Sequence, residues 1–193
     1  SYMVDTIAPT VNSFTIDDER LLVGEAATVD LIFSEMVRLF SSSSDISAPN
    51  GSLGTMTSGN NITWTGTFTP STNTEDATNI LSLATSYTDL AGNTGAAATT
   101  SNYEVETLAP SATFTFSDSY LQRDETSLVT LVFNEPVLGF SSAEDISVPI
   151  LDDNGTQSGT LSTMTSSDNI TWIGTFTPAF PNIQDWSNTL VLA

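Results

Sequence analysis

The chain has 193 residues, 39% hydrophobic and only 13% charged, with 23 acidic residues against three arginines and a formal net charge of −20. Three scattered arginines cannot build the basic face that nucleic acid requires, and an anionic membrane surface repels such a chain, whereas cations are drawn to it. Histidine and cysteine are absent, which excludes Ser-His-Asp and Cys-His catalysis, His- or thiolate-bound zinc and disulfides. No nucleic-acid partner is expected on that charge balance, and with no run of about 18 apolar residues no membrane insertion is expected either. Ser1–Met3 is no signal peptide, and an export signal would lie outside this sequence.

Strand signals follow one another along the chain. After Val4-Asp5-Thr6-Ile7-Ala8-Pro9, strands are predicted near 10–17 (A), 26–34 (B), 44–49 (C), 52–57 (D), 61–69 (E), 78–88 (F) and 96–105 (G). In B, Val29, Leu31 and Phe33 alternate with Thr28, Asp30 and Ile32. In E, Ile62, Trp64, Gly66 and Phe68 alternate with three threonines. This period of two marks half-buried antiparallel strands, and the two tryptophans of this pattern, Trp64 and its later counterpart Trp172, are expected to face the core. Asp17-Asp18, Asn50-Gly51, Gly59-Asn60-Asn61 and Gly92-Asn93 supply the turns. Seven short strands in about 100 residues predict an immunoglobulin-like β-sandwich.

The chain then repeats itself. Val105-Glu106-Thr107-Leu108-Ala109-Pro110 echoes Val4–Pro9 at an offset of 101, and Ile170–Pro178 echoes Ile62–Pro70 at an offset of 108. A domain-sized segment is duplicated, with a few residues added inside the second copy. The expected organisation is all-β, with two tandem immunoglobulin-like sandwiches, 1–105 and 106–193, the second lacking its last strand. Asn188–Ala193 matches Asn79–Ala84, and nothing matches Thr85–Ser101; Ser1–Asp5 matches Asn102–Glu106, the tail of a G strand. The sequence therefore reads as cut from a longer array, with neighbouring repeats of the same chain as partners. Strand donation from another chain is the alternative, less favoured because the N-terminal remnant is short. Pro110 restricts Ala109, so the short joint Thr107–Pro110 is expected to act as a stiff hinge.

Arrays of near-identical modules gain length and spacing rather than a catalytic centre, and no enzyme activity is expected. The acids point instead to a hard cation, which takes several oxygen ligands. With the N-terminus at the top of a sandwich, the top gathers Asp5, Glu35, Asp45, Asp89 and Asn93, and the bottom gathers Asp17, Asp18, Glu75 and Asp76. The bottom faces Glu106 in the joint and the top of the second repeat, where Glu135, Glu144, Asp145 and Asp168 collect. Clustered acids without basic partners repel one another, which favours calcium at both junctions. Taken singly, the same residues also serve as turn formers, with Asp45 and Asp145 capping strand starts.

Val4-Asp5-Thr6-Ile7-Ala8-Pro9, Phe33-Ser34-Glu35, Ser44-Asp45-Ile46, Ile62–Phe68 and Tyr87-Thr88-Asp89-Leu90-Ala91-Gly92-Asn93 together resemble the bacterial Ig-like repeats of giant calcium-dependent RTX adhesins, extender regions of ice-binding adhesins among them. The resemblance spans essentially the whole chain. It implies secretion to the bacterial cell surface, calcium at the inter-domain linkers, and a spacer role in cell adhesion and biofilms, holding an adhesive domain away from the cell. Carried over, Asp5, Asp89 and Asn93 fall on the linker and F–G elements of such repeats. Glu106 departs from the aspartate of that pattern, and the second repeat has no counterpart of Asp89. A ligand-binding adhesive module and a fibre subunit completed by a neighbour's strand are the rival readings.

Overall fold

The computed structural model describes residues 2, 4–149, 157–179 and 188–193. Asp152-Asp153, an acidic pair at a turn expected from the sequence, and Asn154-Gly155-Thr156, a match to the glycosylation sequon, lie outside the described residues. The chain forms two compact units, Ser1–Ala109 and Pro110–Ala193, both all-β sandwiches.

In the first unit the elements run β1 (Val11–Ile16), β2 (Arg20–Leu22), β3 (Ala27–Phe33), α1 (Ser42–Asp45), β4 (Ile46–Ser47), β5 (Gly51–Leu53), β6 (Thr63–Pro70), β7 (Glu75–Asn79), β8 (Ser82–Leu83), β9 (Ala98–Thr99) and β10 (Tyr103–Glu106). One sheet has the order β1-β3-β6-β5, the A-B-E-D arrangement of an immunoglobulin-like sandwich. Its register sets Leu31 opposite Trp64, Val29 opposite Gly66 and Ala27 opposite Phe68. The alternation in sequence thus becomes an alternation of faces: Val29, Leu31 and Phe33 are fully buried while Thr28 and Asp30 are exposed. Trp64 packs edge-on against Phe40 with ring centroids 4.8 Å apart, so it belongs to the core margin rather than to an open platform.

The facing sheet joins β4-β8-β9 and β2-β10-β7. Strands F and G are each interrupted rather than continuous as the sequence pattern predicts. At the break the Thr100 hydroxyl accepts the Leu81 amide at 3.0 Å and the Thr100 amide donates to the Leu81 carbonyl at 3.1 Å. A side-chain oxygen thereby takes a ladder position, and the register shifts by one residue between Tyr103 and Val105. Strand C is shorter than expected. Residues 42–45 close a helical turn because the Asp45 carboxylate accepts the Ser41 amide at 2.8 Å, leaving only Ile46–Ser47 to pair. The short β2, absent from the sequence reading, runs parallel to β10 and completes the sheet.

Gly51 carries a close approach that only glycine allows, since a Cβ there would fall inside the Phe68 ring; Gly159 stands in the same relation to Phe176. The duplication has thus kept a packing contact as well as a pattern.

In the second unit β11 (Ala112–Phe116), β12 (Ser127–Phe133), β14 (Gly159–Leu161) and β15 (Thr171–Pro178) repeat the first sheet in the order β11-β12-β15-β14, and β13 (Ile146–Ser147) pairs with β16 (Val191–Leu192). Among the described residues no strand corresponds to β2, β9 or β10. The core records the difference. Leu21 and Leu81 are fully buried in the first unit, whereas their counterparts Leu121 and Leu190 are half-buried, and Phe116 is 38% exposed where Ile16 is 5%.

Candidate metal centre

Three acids of the first unit meet at one end of its sandwich. Asp5, Glu35 and Asp89 each present a carboxylate oxygen, and these atoms lie within 4.8 Å of one another. Asp5 comes from the extended N-terminal segment, Glu35 follows the end of β3, and Asp89 sits in the loop between β8 and β9.

Local chemistry fixes each one. Thr88 is bridged to both Arg38 and Thr94, so residues 89–93 form a closed loop. Gly92, at φ +93°, provides its left-handed turn. Asn93 seals the loop: its amide donates to Asp89 Oδ1 at 2.8 Å and its Nδ2 to Asp89 Oδ2 at 2.7 Å. The same Nδ2 reaches the carbonyls of Asp5 at 3.3 Å and Ile7 at 3.2 Å, holding the N-terminal segment on the loop. Asp5 Oδ1 accepts the Ile7 amide at 3.1 Å, an Asx-turn that aims its carboxylate. Ser34, beside Glu35, ties down the start of β1 through reciprocal bonds with Thr10.

The electrostatics of the cluster are uncompensated. Asp89 is 1% exposed. Burial pushes its carboxyl up, but hydrogen bonds from the Asn93 side chain and from the amides of Asn93, Gly92 and Ala91 outweigh this and hold it below the usual aspartate range. Glu35 is pushed up, first by burial and then by the charges of Asp5 and Asp89. Among the described residues no ion pair reaches these three acids; Arg20 meets Glu104 instead, at 3.6 Å. The donor set is all oxygen and carries three negative charges, which fits calcium or another hard cation and not a thiolate- or imidazole-seeking metal.

The other candidates are placed differently. Asp45 is 4% exposed and its oxygens are engaged by the Ser41 amide and by the hydroxyls of Ser44 and Ser86, at 2.8, 3.0 and 2.6 Å; it builds the turn beside the site. Asp145 repeats that role, accepting the Ser141 amide at 2.8 Å. Among the described residues Asp17, Asp18, Glu75 and Asp76 form no comparable group of three. Asp17 takes the Thr28 amide at 2.6 Å and Asp18 the Arg20 amide at 2.9 Å. Asp76 accepts the Thr78 amide and Asn50 Nδ2, at 2.9 and 2.8 Å. Its carboxyl is lowered, chiefly by the Thr78 amide. Glu75 stands opposite Glu106 in the β7–β10 ladder. In the second unit Glu135 follows β12 as Glu35 follows β3, half-buried, and Glu144 is exposed. Asp168 is a turn former that accepts the amides of Ile170 and Thr171 at 2.9 and 2.8 Å. Sequence reasoning missed the Asp5 and Ile7 carbonyls and the Ser86 hydroxyl; no residue-type signal marks a main-chain acceptor.

An A-B-E-D sheet facing a C-F-G sheet in the first unit, with the A-B-E-D sheet and a C-F strand pair recurring in the second, defines tandem immunoglobulin-type sandwich modules. The sequence model of the bacterial Ig-like domain matches residues 5–105 and again residues 106–193, and the chain belongs to that family. The fold is typically structural and non-catalytic, and it is consistent with a surface or extender module. No curated protein and no solved structure matches the chain.

Proposed function

We propose that this chain is a spacer segment of a secreted bacterial surface adhesin, two sandwiches in series, stiffened by calcium bound to Asp5, Glu35 and Asp89. The convergence of those three carboxylates on one point, with no ion pair to them among the described residues, carries the reading. Asn93 orients the set. The cation would tie together three separate pieces of chain, the N-terminal segment, the end of β3 and the loop after β8, so that the segment preceding the sandwich becomes part of it. Ordered attachment of that segment is what a load-bearing array requires at every joint, and the restriction that Pro110 places on the second joint works in the same direction.

Binding to the folded form alone raises stability by mass action. With the ~10⁻⁴–10⁻³ M constants common in extracellular modules, ~10 mM calcium adds about 1.4–2.7 kcal/mol. In a two-transition thermal melt the first unit is expected to rise by roughly 5–20 °C with calcium, a shift lost in Asp89→Asn. Identical melts with calcium and with chelator would overturn the reading.

A further inference from the structure

We propose that the outer face of the sheet β11-β12-β15-β14 is a self-docking surface, on which a second copy of this chain lays the same face across a two-fold axis. The face lies on the opposite side of the sheet from Val129, Leu131 and Phe176, which enter the core. Leu128, Val132 and Ile173 stand on it and are 47%, 37% and 43% exposed. The register sets Thr130 among them, with Thr115 opposite it on β11 and Ile173 opposite it on β15. Leu128 and Val132 flank it along β12.

The first unit shows the same face built for water. Where the second unit has Ser117, Leu128, Thr130, Val132 and Ile173, the first has Asp17, Thr28, Asp30, Ile32 and Thr65 at the same register. Two acids have become hydroxyl residues and two threonines have become large aliphatic ones. Folding does not demand the change. Asp17 Oδ1 accepts the Thr28 amide at 2.6 Å, and Ser117 Oγ accepts the Leu128 amide at 2.9 Å. The bond is kept and only the charge is lost. The residues beneath are the same, Val29 and Leu31 in one unit and Val129 and Leu131 in the other, all fully buried.

Charge selects the occupant. Each copy carries a net charge of −20, so two copies repel wherever acids face acids. This face has exchanged its acids for uncharged residues, and a basic partner would find no carboxylate at those positions. A two-fold axis along the row Thr115-Thr130-Ile173 sets Leu128 of one copy on Val132 of the other, and Ile173 on Ile173. Apolar then meets apolar, and the contact closes as an isologous dimer. With strands ~4.8 Å apart and same-face residues ~6.8 Å apart, three rows across four strands cover roughly 400 Å². That is about half of what each partner gives to a standard stable interface, so the pairing is weak and reversible. The proposal does not rest on the cation reading, whose residues all lie in the first unit.

Sedimentation velocity of the full 193-residue chain over a concentration series tests it. The average mass is expected to rise from the 20.5 kDa of one chain towards twice that value. Salt screens the repulsion between copies, so the rise should come at lower protein concentration in ~0.15 M than in ~0.01 M sodium chloride. It should persist in chelator. The triple variant Leu128→Thr/Thr130→Asp/Ile173→Thr gives the second unit the residues that the first carries at the same register. It is expected to stay at the single-chain mass, with the melting of the second unit moved by no more than a few degrees. The converse variant Thr28→Leu/Asp30→Thr/Thr65→Ile gives the chain a second such face and is expected to carry the mass beyond that of a dimer. A single-chain mass at every concentration, equal association by the triple variant, or association that needs calcium would overturn the proposal.

Discussion

Leu81 and Leu190 hold the same place in two copies of one sandwich, and one is sealed from water while the other is half in it. The sheet β1-β3-β6-β5 and its repeat β11-β12-β15-β14 match strand for strand, so the difference does not arise there. It arises at β10. That strand pairs with β2 on one side and β7 on the other, and sends Tyr103 and Val105 into the core. Among the described residues of the second unit no such strand stands, and the residues corresponding to β2 do not form a strand either. The lesson is that closure of this sandwich is cooperative: one four-residue strand holds β2 in its sheet, and two leucines are core where it stands.

The largest test of this comparison turns the first unit into the second. Replacing Tyr103 with Ala removes a fully buried ring and its hydrogen bond to Pro49, and is expected to cost about 3–5 kcal/mol, as large-to-small aromatic core substitutions do. Chemical denaturation of the chain should then show the first transition dropping while the second stays in place. A loss under about 1 kcal/mol would mean that β10 is not the closing element.

A second, smaller separation of the units comes from alkali. Burial, and then the charge of Asp76, push the Tyr103 hydroxyl up to about 12. The folded form therefore holds a proton that the unfolded chain gives up near pH ~10. This contribution is whole below pH ~10 and is lost as the pH rises towards about 12. The first unit's melting temperature should fall through that window, and Tyr103→Phe should flatten the fall. An unaltered slope in Tyr103→Phe would assign the alkaline loss to other groups.

What the sequence disclosed and what it hid follow from the range of the forces involved. β3 and β6 were legible because their two faces meet different media, and period two states that directly. Arg20–Leu22 was not, because a three-residue strand owes its existence to β10, far along the chain, and not to its own residues. The helical turn at 42–45 was hidden for the converse reason: its cause is local, the Asp45 carboxylate taking the Ser41 amide while the Ser44 and Asp45 amides return to the Ser41 carbonyl, in a stretch of serines with no periodicity. At the site, Asp5, Glu35 and Asp89 were legible as a group because sandwich topology alone brings their loops to one end. Asp45 shares that end, yet Ser86 engages its carboxylate, a partner contributed by another loop that nothing in the local sequence indicates. The acids of the opposite end were read as a cluster from topology too, but Asp17, Asp18 and Asp76 each take a separate main-chain amide and Glu75 stands in β7.

Glu35 offers a sharper contrast than calcium removal alone. Its carboxyl is raised by burial and by Asp5 and Asp89, so without a cation the folded first unit is penalised whenever Glu35 is ionised. That penalty is present above its folded pKa and fades as the pH falls through it. Glu35→Gln should therefore stabilise the first unit in chelator at neutral pH, and at the same time weaken its response to calcium. The second unit should respond to neither change. Equal calcium shifts in the variant and the unaltered chain would remove Glu35 from the cation site.

The smallest expected effect concerns Asp168, the acid that stands where the first unit has Asn60. Asn60 Oδ1 accepts the amides of Ile62 and Thr63 at 2.9 Å each, and Asp168 Oδ1 accepts those of Ile170 and Thr171 in the same way. The Thr171 and Ile170 amides, with the Ser166 hydroxyl, hold the Asp168 carboxyl below its usual range. A lowered carboxylate stabilises the fold above its unfolded pKa, and that contribution is lost as the pH falls through the folded value. Asp168→Asn keeps the acceptor and removes the titration. At neutral pH the second unit should melt within a degree or two of the unaltered chain, since the turn survives. Between pH ~4 and lower values its acid-induced loss of stability should be shallower. A pronounced neutral-pH loss would show that the charge of Asp168, and not its turn geometry, is what the second unit uses.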